Sequence, residues 1–143
     1  MFRKKRTKPF QVTRLDELSA IAAEGKPVLV DFWQTGCNPC RIMDGIVTEL
    51  ADEYAGKAHV VKIDVGRVPD AVREFAIRST PTFVVLAKSQ KRPSKKARRR
   101  NNGGAPARSG EMTARWRSSG LVKKEQLARV LDSNGAALNS PAR

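Results

Sequence analysis

This sequence has few of the residues that bind metal ions or staple small folds. It contains two cysteines and one histidine, His59, among 143 residues. A structural zinc site takes four cysteine or histidine ligands, so only a metal shared between two chains would complete a set. A chain of this length with 40% hydrophobic residues buries a core of its own and does not depend on a disulfide to fold. A purely structural clip and a metal site are therefore both disfavoured roles for the cysteines.

Long hydrophobic runs are also missing. The longest, such as VLVDFW at 28–33 and FVVLA at 83–87, are far shorter than the roughly 20 residues that cross a bilayer as a helix. The basic start, MFRKKRTKPFQ, is not followed by the apolar segment of a signal peptide. We therefore expect a soluble cytoplasmic protein with no membrane partner. In a reducing compartment a single Cys-x-x-Cys pair is more often catalytic than structural.

Acidic residues are absent from two stretches, 1–9 and 88–108. Together these stretches hold half of the 28 lysines and arginines, so the net charge of +14 resides in them and the rest of the chain is formally neutral. The second stretch is rich in Lys, Arg, Pro, Gly, Ser and Asn, a composition that cannot bury a core. We interpret 1–9 as a basic N-terminal extension and 10–134 as one domain, interrupted by a basic low-complexity insert at about 88–108. Residues 135–143 are predicted to be a flexible tail.

The rest of the chain alternates between helical and extended patterns, which is typical of the α/β class. Apolar residues at helical spacing predict helices over 15–22, 42–54, a short segment from Pro69, and a segment after Gly120. Apolar runs predict strands at Val28–Trp33, Val60–Val65, Thr82–Leu86 and around Met112–Trp116. Thr13 is expected to cap the first helix, and Ile42 to lie on the buried face of the second.

Both cysteines lie in the stretch WQTGCNPCR, residues 33–41, between a predicted buried strand and the most clearly amphipathic helix. The start of a helix offers free amides and the positive end of the helix dipole, which stabilise a thiolate. Pro39 suits the first helical position, where no N–H is needed. The pattern presents Cys37 outward at the end of the strand, with Cys40 one helical turn behind it. It favours redox chemistry over the two other roles.

The motifs VLVDFWQTGCNPC, VKIDV and RSTPTFVVL, in this order and followed by GLVKKEQLARVL, resemble the thioredoxin family. The resemblance covers about Val12 to Asp132 apart from the basic insert. It implies a thioredoxin fold, in which a central mixed β-sheet is flanked by helices. It also implies that Cys37 attacks a substrate disulfide and that Cys40 resolves the mixed disulfide. The only redox group would be the Cys37–Cys40 disulfide, with no other cofactor and no metal.

The resemblance extends to further positions one by one. Asp31 corresponds to the buried acid behind the second cysteine, and Lys62 to the lysine that faces it. A carboxylate in an apolar strand has a raised pKa and can relay a proton to or from Cys40; a simple buried ion pair is the alternative. Pro81 matches the family's cis-proline, which leaves the backbone of Thr80 free to pair with an extended substrate. The other predicted substrate contacts lie on the same rim: Trp33, Gly36, Asn38, Pro39 and Gly120.

Three positions depart from the family's pattern. Gly36 stands where the family usually has a tryptophan, Asn38 where it usually has a glycine, and Gly45 where a helix-kinking proline is common. The missing tryptophan removes a contact surface for partners, and Asn38 changes the groups around the thiolate. Trp33 and Gly120 also have an alternative interpretation, as plain packing and turn residues.

Two functions follow from these observations. The first is a thiol–disulfide oxidoreductase that reduces protein disulfides in electron transport and cell redox homeostasis, with a thioredoxin reductase as electron donor. The second is a thioredoxin-fold binding module whose basic arms, above all Lys88 to Arg108, bind nucleic acid or another acidic partner. The insert has no aromatic residues for base stacking and is equally well interpreted as a solvated loop. The acid, the lysine and the Thr-Pro pair beside both cysteines favour the first function.

Overall fold

A computed structural model describes residues 5–89 and 111–136. Three predicted segments fall wholly or partly outside these ranges. They are the first four residues of the N-terminal extension, the basic insert from residue 90 onward, and the tail from residue 137 onward.

In the described ranges the fold is built on one five-stranded sheet with the strand order β1-β3-β2-β4-β5. The strands are β1 (Phe10–Val12), β2 (Val28–Trp33), β3 (His59–Asp64), β4 (Thr82–Lys88) and β5 (Met112–Ser119). The first three are parallel to one another, β4 is antiparallel to β2, and β5 is antiparallel to β4. The predicted mixed sheet is confirmed.

Helices cover both faces of the sheet and divide the core into two clusters. The helices are α1 (Leu15–Ala22), α2 (Asn38–Glu53), α3 (Pro69–Glu74) and α4 (Lys124–Leu131), and an irregular turn, Asp132–Ala136, follows the last of them. One cluster joins α2 and α4 to the sheet, and the other joins α1 and α3. The neighbouring residues Leu29 and Val30 of β2 contribute to opposite clusters, because successive side chains of a strand point to opposite faces.

Two predictions about the helices are wrong. The N-cap of the first helix is Arg14 rather than Thr13, because the carboxylate of Glu17 accepts the backbone N–H groups of both residues and the hydroxyl of Thr13. Ile42 is 63% exposed, since the buried face of α2 is set by Met43 and the residues that follow it at helical spacing.

The structure also differs from the prediction in one additional strand and in the bounds of other segments. The strand β1 was not predicted, and it adds a parallel edge to β3. Lys88 belongs to β4 and pairs with Met112, so the strand extends one residue into the predicted insert. The predicted tail starts too early, since Ala136 is only 1% exposed and packs in the α2–α4 cluster.

Candidate active site

Three connecting segments meet at one edge of the sheet. The strand β2 ends at Trp33, and its residue Phe32 pairs with Thr82, the first residue of the antiparallel β4. Thr82 in turn pairs with Ser119, the last residue of β5. The turn that follows β2, the segment that precedes β4 and the segment from Gly120 onward therefore lie at the same edge.

The cysteines lie in the first of these segments and are joined by a disulfide, with a Cα–Cα distance of 5.3 Å. Cys37 is the N-cap of α2, and its Sγ accepts the N–H of Cys40 at 3.2 Å. Cys37 is half-buried, whereas Cys40 is only 7% exposed, which is the arrangement predicted from the sequence. Two details differ: the strand ends four residues before Cys37, and Pro39 occupies the second helical position rather than the first.

The surface next to the disulfide is open. The N–H of Cys37 donates to the carbonyl of Gln34, and this turn requires a φ of +83° at Gly36, a conformation that favours glycine. Among the described residues, no atom beyond its chain neighbours lies within 4 Å of the position that a Cβ at Gly36 would occupy. Asn38 and Pro39 are exposed beside it. The turn thus leaves Cys37 free of a covering side chain on this side.

Asp31 lies on β2 and is only 2% exposed. Its Oδ1 is buried without a hydrogen-bond partner among the described residues. This burial is the main reason that the pKa of Asp31 is raised to about 7; the charge of Lys62 lowers the pKa and that of Asp44 raises it. The carboxyl group therefore changes protonation near neutral pH.

The predicted lysine, Lys62, neighbours Asp31 in the register of β2 and β3. Its Nζ, however, donates to Oδ1 of Asp44 at 2.5 Å and lies 5.0 Å from the centre of the Trp33 ring. The alternative of a simple Asp31–Lys62 ion pair is therefore not what the structure has. Asp44 was missed in the sequence, although its position four residues after Cys40 places both on one face of a helix.

A groove of about 430 Å³ opens to the surface beside Lys62 and Asp44. The indole Nε1 of Trp33 is buried and has no hydrogen-bond partner in the described part of the chain. The groove brings together residues of the turn after β2, the first turns of α2 and one residue of β3, which are Trp33, Gln34, Thr35, Gly36, Cys40, Arg41, Asp44 and Lys62. It gives access from the surface to Cys40.

The segment before β4 carries the Thr80–Pro81 peptide bond, which is cis as the resemblance implies. Pro81 is buried and Thr80 half-buried. The carbonyl of Pro81 accepts the N–H of Gly120 at 2.8 Å, and Gly120 has a φ of +84°. Gly120 therefore has a definite backbone role, since it fastens the end of β5 to the proline.

A second residue missed in the sequence, Arg117, holds the chain that leads to this segment. Its guanidinium donates to the carbonyl of Phe75 at 2.5 Å and to that of Ala76 at 2.6 Å. Ala76 has a φ of +50°, which is uncommon for a residue other than glycine. Arg117 thus stabilises the turn after α3.

The histidine is not part of this site. His59 Nε2 lies 3.1 Å from a carboxylate oxygen of Glu24. Within 5–89 and 111–136, no group of three or more His, Cys, Asp or Glu side chains is placed to hold a metal ion. No helix in the same ranges is long and apolar enough to cross a membrane.

Comparison with known proteins agrees with this geometry. The thioredoxin family model matches residues 10–103. A thioredoxin from Chlorobaculum thiosulfatiphilum is 37% identical over 79 residues, which are 55% of this chain and 73% of that protein. Thioredoxin 1 from Nostoc is 43% identical over 65 residues, 46% of this chain and 61% of that protein. A bifunctional thioredoxin reductase/thioredoxin from Mycobacterium leprae is 36% identical over 80 residues, 56% of this chain and 18% of that protein.

Solved structures show the same fold. A mutant thioredoxin from Halobacterium salinarum superposes with a TM-score of 0.67 at 23% identity, covering 94% of this chain and 96% of that one. Mitochondrial thioredoxin 3 from Saccharomyces cerevisiae, in its oxidised form, gives a TM-score of 0.62 at 22% identity and covers 87% and 94% of the two chains. The family match extends over more than half of the chain and includes the disulfide at the start of α2. The chain therefore belongs to the thioredoxin family, and its Cys37–Cys40 pair is suited to thiol–disulfide exchange.

Proposed function

We propose that this protein reduces disulfides of protein substrates, with Cys37 as the attacking thiolate and Cys40 as the resolving thiol. The observation that carries the proposal is the Cys37–Cys40 disulfide at the N-terminus of α2, with the more exposed cysteine first in the chain. The first amides of α2 and the positive end of its dipole stabilise negative charge on Cys37 Sγ in the reduced protein.

The reaction proceeds in two exchanges. The Cys37 thiolate attacks one sulfur of the substrate disulfide, so a mixed disulfide forms and the first substrate thiolate leaves. Cys40 then loses its proton and attacks Cys37 Sγ, which forms the Cys37–Cys40 disulfide and releases the second substrate thiolate. The substrate gains two electrons and the dithiol loses two. The disulfide present in the structure is the product of this cycle.

Asp31 accepts the proton of Cys40 in the second exchange and returns it when the disulfide is reduced again. Its pKa of about 7 supports this role, because a carboxyl group that is half protonated near neutral pH both accepts and donates a proton readily. The groove that Cys40 lines connects this cysteine with the surface.

The substrate lies along the edge of the sheet where the three segments meet. The backbone of Thr80 pairs with an extended segment of the substrate, next to Pro81 and Gly120. The open surface over Gly36, Asn38 and Pro39 receives the residues that flank the substrate cysteine, and Trp33 forms the floor of the adjoining groove.

The electron donor that we propose is a thioredoxin reductase, and the location is the cytoplasm. The Mycobacterium leprae relative, which is a reductase and a thioredoxin in one protein, supports the choice of donor. With this donor the protein would pass electrons from the reductase to disulfide-containing proteins and so contribute to cell redox homeostasis.

Reduction of insulin disulfides by dithiothreitol tests the proposal with three proteins: the wild type, Cys37→Ser and Cys40→Ser. We expect both variants to lose catalytic turnover, because each lacks one of the two sulfurs. Only Cys40→Ser should accumulate a mixed disulfide, since its Cys37 still attacks and nothing resolves the product. Faster alkylation of Cys40 than of Cys37 in the reduced wild type would contradict the assigned order.

The second hypothesis, binding of nucleic acid or another acidic partner by the basic arms, stays a prediction. Its support is the concentration of cations without acids in 1–9 and 88–108. Because Lys88 belongs to β4 and the N–H of Ser89 donates to the carbonyl of Glu111, a deletion should remove residues 90–110 and keep these pairs. We expect it to leave disulfide reduction nearly intact.

The same deletion tests binding. If the arm makes about five phosphate contacts, the affinity of the wild type for duplex DNA should fall several hundredfold from about 50 to 200 mM salt. The deletion should abolish that binding. If the wild type shows no salt-sensitive association with DNA or RNA, the interpretation of the insert as a solvated loop is favoured over nucleic-acid binding.

A further inference from the structure

Three charged side chains from three different elements interact with one another beside the groove that Cys40 lines. Asp31 comes from β2, Lys62 from β3 and Asp44 from α2. In the register of the two strands, Asp31 and Lys62 are direct neighbours, so the lysine is placed to bond the buried carboxylate. Its ammonium instead lies 2.5 Å from Oδ1 of Asp44, and Oδ1 of Asp31 stays buried without a partner in the described residues.

We propose that Asp44 is a positioning residue for thiol–disulfide exchange: its carboxylate holds the Lys62 ammonium at the wall of the groove and so keeps Asp31 unpaired behind Cys40. Asp44 touches neither cysteine sulfur in this scheme and acts through the lysine. The inference rests on the proposed function, in which Asp31 relays the proton of Cys40.

The contacts of the lysine favour this arrangement. Its side chain is one-fifth exposed and runs over the Trp33 ring, whereas the side chain of Asp44 is about half exposed. The ion pair therefore lies at the solvent-facing wall of the groove, where both charges keep part of their hydration. A Lys62–Asp31 pair would instead have to bury the ammonium, which is costly.

Asp44 also changes the charge that Asp31 senses. A bare ammonium beside a buried carboxyl group stabilises the ionised form, whereas an ammonium already paired with a carboxylate is nearly neutral at a distance. The neighbouring residues outside this trio add little charge: Phe83, which pairs with Asp31 on β4, is apolar, and Cys40 is in the disulfide. Arg41 lines the groove from an exposed position. The pKa of Asp31 follows this pattern, since Lys62 lowers it and Asp44 raises it.

The test is an NMR titration of the Asp31 carboxyl carbon in the oxidised wild type and in Asp44→Asn. Without its charged partner, the ammonium should turn to Asp31, and we expect the pKa of Asp31 to fall by about one pH unit. Asp52→Asn is the matched control, because it removes the same charge from an exposed position two turns further along α2. An Asp31 pKa that is equal in the wild type and Asp44→Asn would overturn the proposal.

A double-mutant cycle with Lys62→Met separates positioning from simple repulsion between two carboxylates. If Asp44 acts through the lysine, Asp44→Asn should shift the Asp31 pKa less in the Lys62→Met protein than in the wild type. Equal shifts in the two backgrounds would overturn the positioning role. Because the titration does not depend on activity, these outcomes are independent of the proposed relay.

The pH profile of insulin reduction completes the experiment. We expect the acid limb of the profile to move to lower pH in Asp44→Asn by the same amount as the carboxyl pKa, and not to move in Asp52→Asn. If Asp44→Asn shifts the pKa of Asp31 but not the pH profile of insulin reduction, the proton relay through Asp31 is overturned. The positioning of Lys62 by Asp44 would still be supported by the shifted pKa.

Discussion

Buried polar groups lie beside both ends of α2, and those beside one end have hydrogen-bond partners whereas those beside the other end do not. At the C-terminal end the hydroxyl of Tyr54, a residue only 1% exposed, lies 2.7 Å from Oδ1 of Asp132 and 3.1 Å from the carbonyl of Ala128. Beside the N-terminal end, Oδ1 of Asp31 and Nε1 of Trp33, both on β2, are buried without partners in the described residues.

This difference in hydrogen bonding indicates that one end of α2 serves the stability of the fold and the other serves thiol–disulfide exchange. A buried polar group with its hydrogen bonds made contributes to a defined fold, whereas one without partners lowers the free energy of unfolding. Such groups concentrate where a protonation state has to change during a reaction. The end of α2 that carries the cysteines is the end with unpaired groups. We therefore expect changes there to affect exchange, and changes at the other end to affect stability alone.

The largest effect on stability should come from Asp31→Ala. The pKa of Asp31 is raised from 3.8 to about 7 in the folded protein. Between pH 3.8 and about 7 the Asp31 carboxyl group is ionised in the unfolded chain but protonated in the folded one. The free energy of unfolding therefore falls as the pH rises through this range, by on the order of 4 kcal/mol in total. The void left by alanine offsets about 1 kcal/mol. We expect the free energy of unfolding to rise by about 3 kcal/mol at pH 8.

Urea unfolding of the oxidised proteins at pH 8 and at pH 3.5 checks the sign. At pH 3.5 both states of the wild type are largely protonated, so the gain should vanish and the variant should be slightly less stable. Insulin reduction at pH 7 should slow on the order of 100-fold, because the proton acceptor of Cys40 is gone. If Asp31→Ala is less stable than the wild type at both pH values and reduces insulin at the normal rate, the proposed difference between the two ends of α2 is contradicted.

Tyr54→Phe probes the opposite end and should have a smaller effect. It removes one hydroxyl and leaves Asp132 and the carbonyl of Ala128 without that donor, which should lower the free energy of unfolding by about 1–2 kcal/mol. The ring stays in place, so the α2–α4 cluster keeps its packing. We expect insulin reduction to be unchanged. A slower reaction at equal stability would show that the two ends of α2 are coupled.

The sequence predicted the elements of this fold better than the contacts within the site. The bounds of α1 and β2 and the start of α3 follow from short-range patterns of apolar residues and turn residues, and the cysteines from their position between a strand and a helix. The strand β1 has a single buried residue and a parallel partner far along the chain, so no local pattern marks it. The Lys62–Asp44 pair depends on how α2 packs on β3, and the family resemblance pointed to Asp31 as the partner of Lys62 instead.

The smallest effect should come from Lys124→Gln. Lys124 Nζ lies 3.0 Å from Glu49 and 2.9 Å from Glu53 and so ties α4 to the C-terminal half of α2. Hydrogen bonds to Glu53 and Glu49 raise the pKa of Lys124 above 10.5. A raised lysine pKa means that the stabilisation is fully present at neutral pH and is lost only as the pH rises through the folded value. Because the carboxylates are largely exposed, solvent screens the pairs, and we expect a loss of about 0.5 kcal/mol.

The measurement is urea unfolding at pH 7 in low salt and in 1 M NaCl, with Lys123→Gln, at the neighbouring exposed position, as the matched control. The difference between the two variants should be largest in low salt and disappear in 1 M NaCl, where charges are screened over about 3 Å. Insulin reduction should be the same in both variants, since the pairs lie at the end of α2 away from the cysteines. A loss that persists in high salt would mean that Lys124 stabilises the helix contact by packing of its aliphatic chain. The ion pairs of Lys124 with Glu49 and Glu53 would then contribute little to the stability of the contact between α2 and α4.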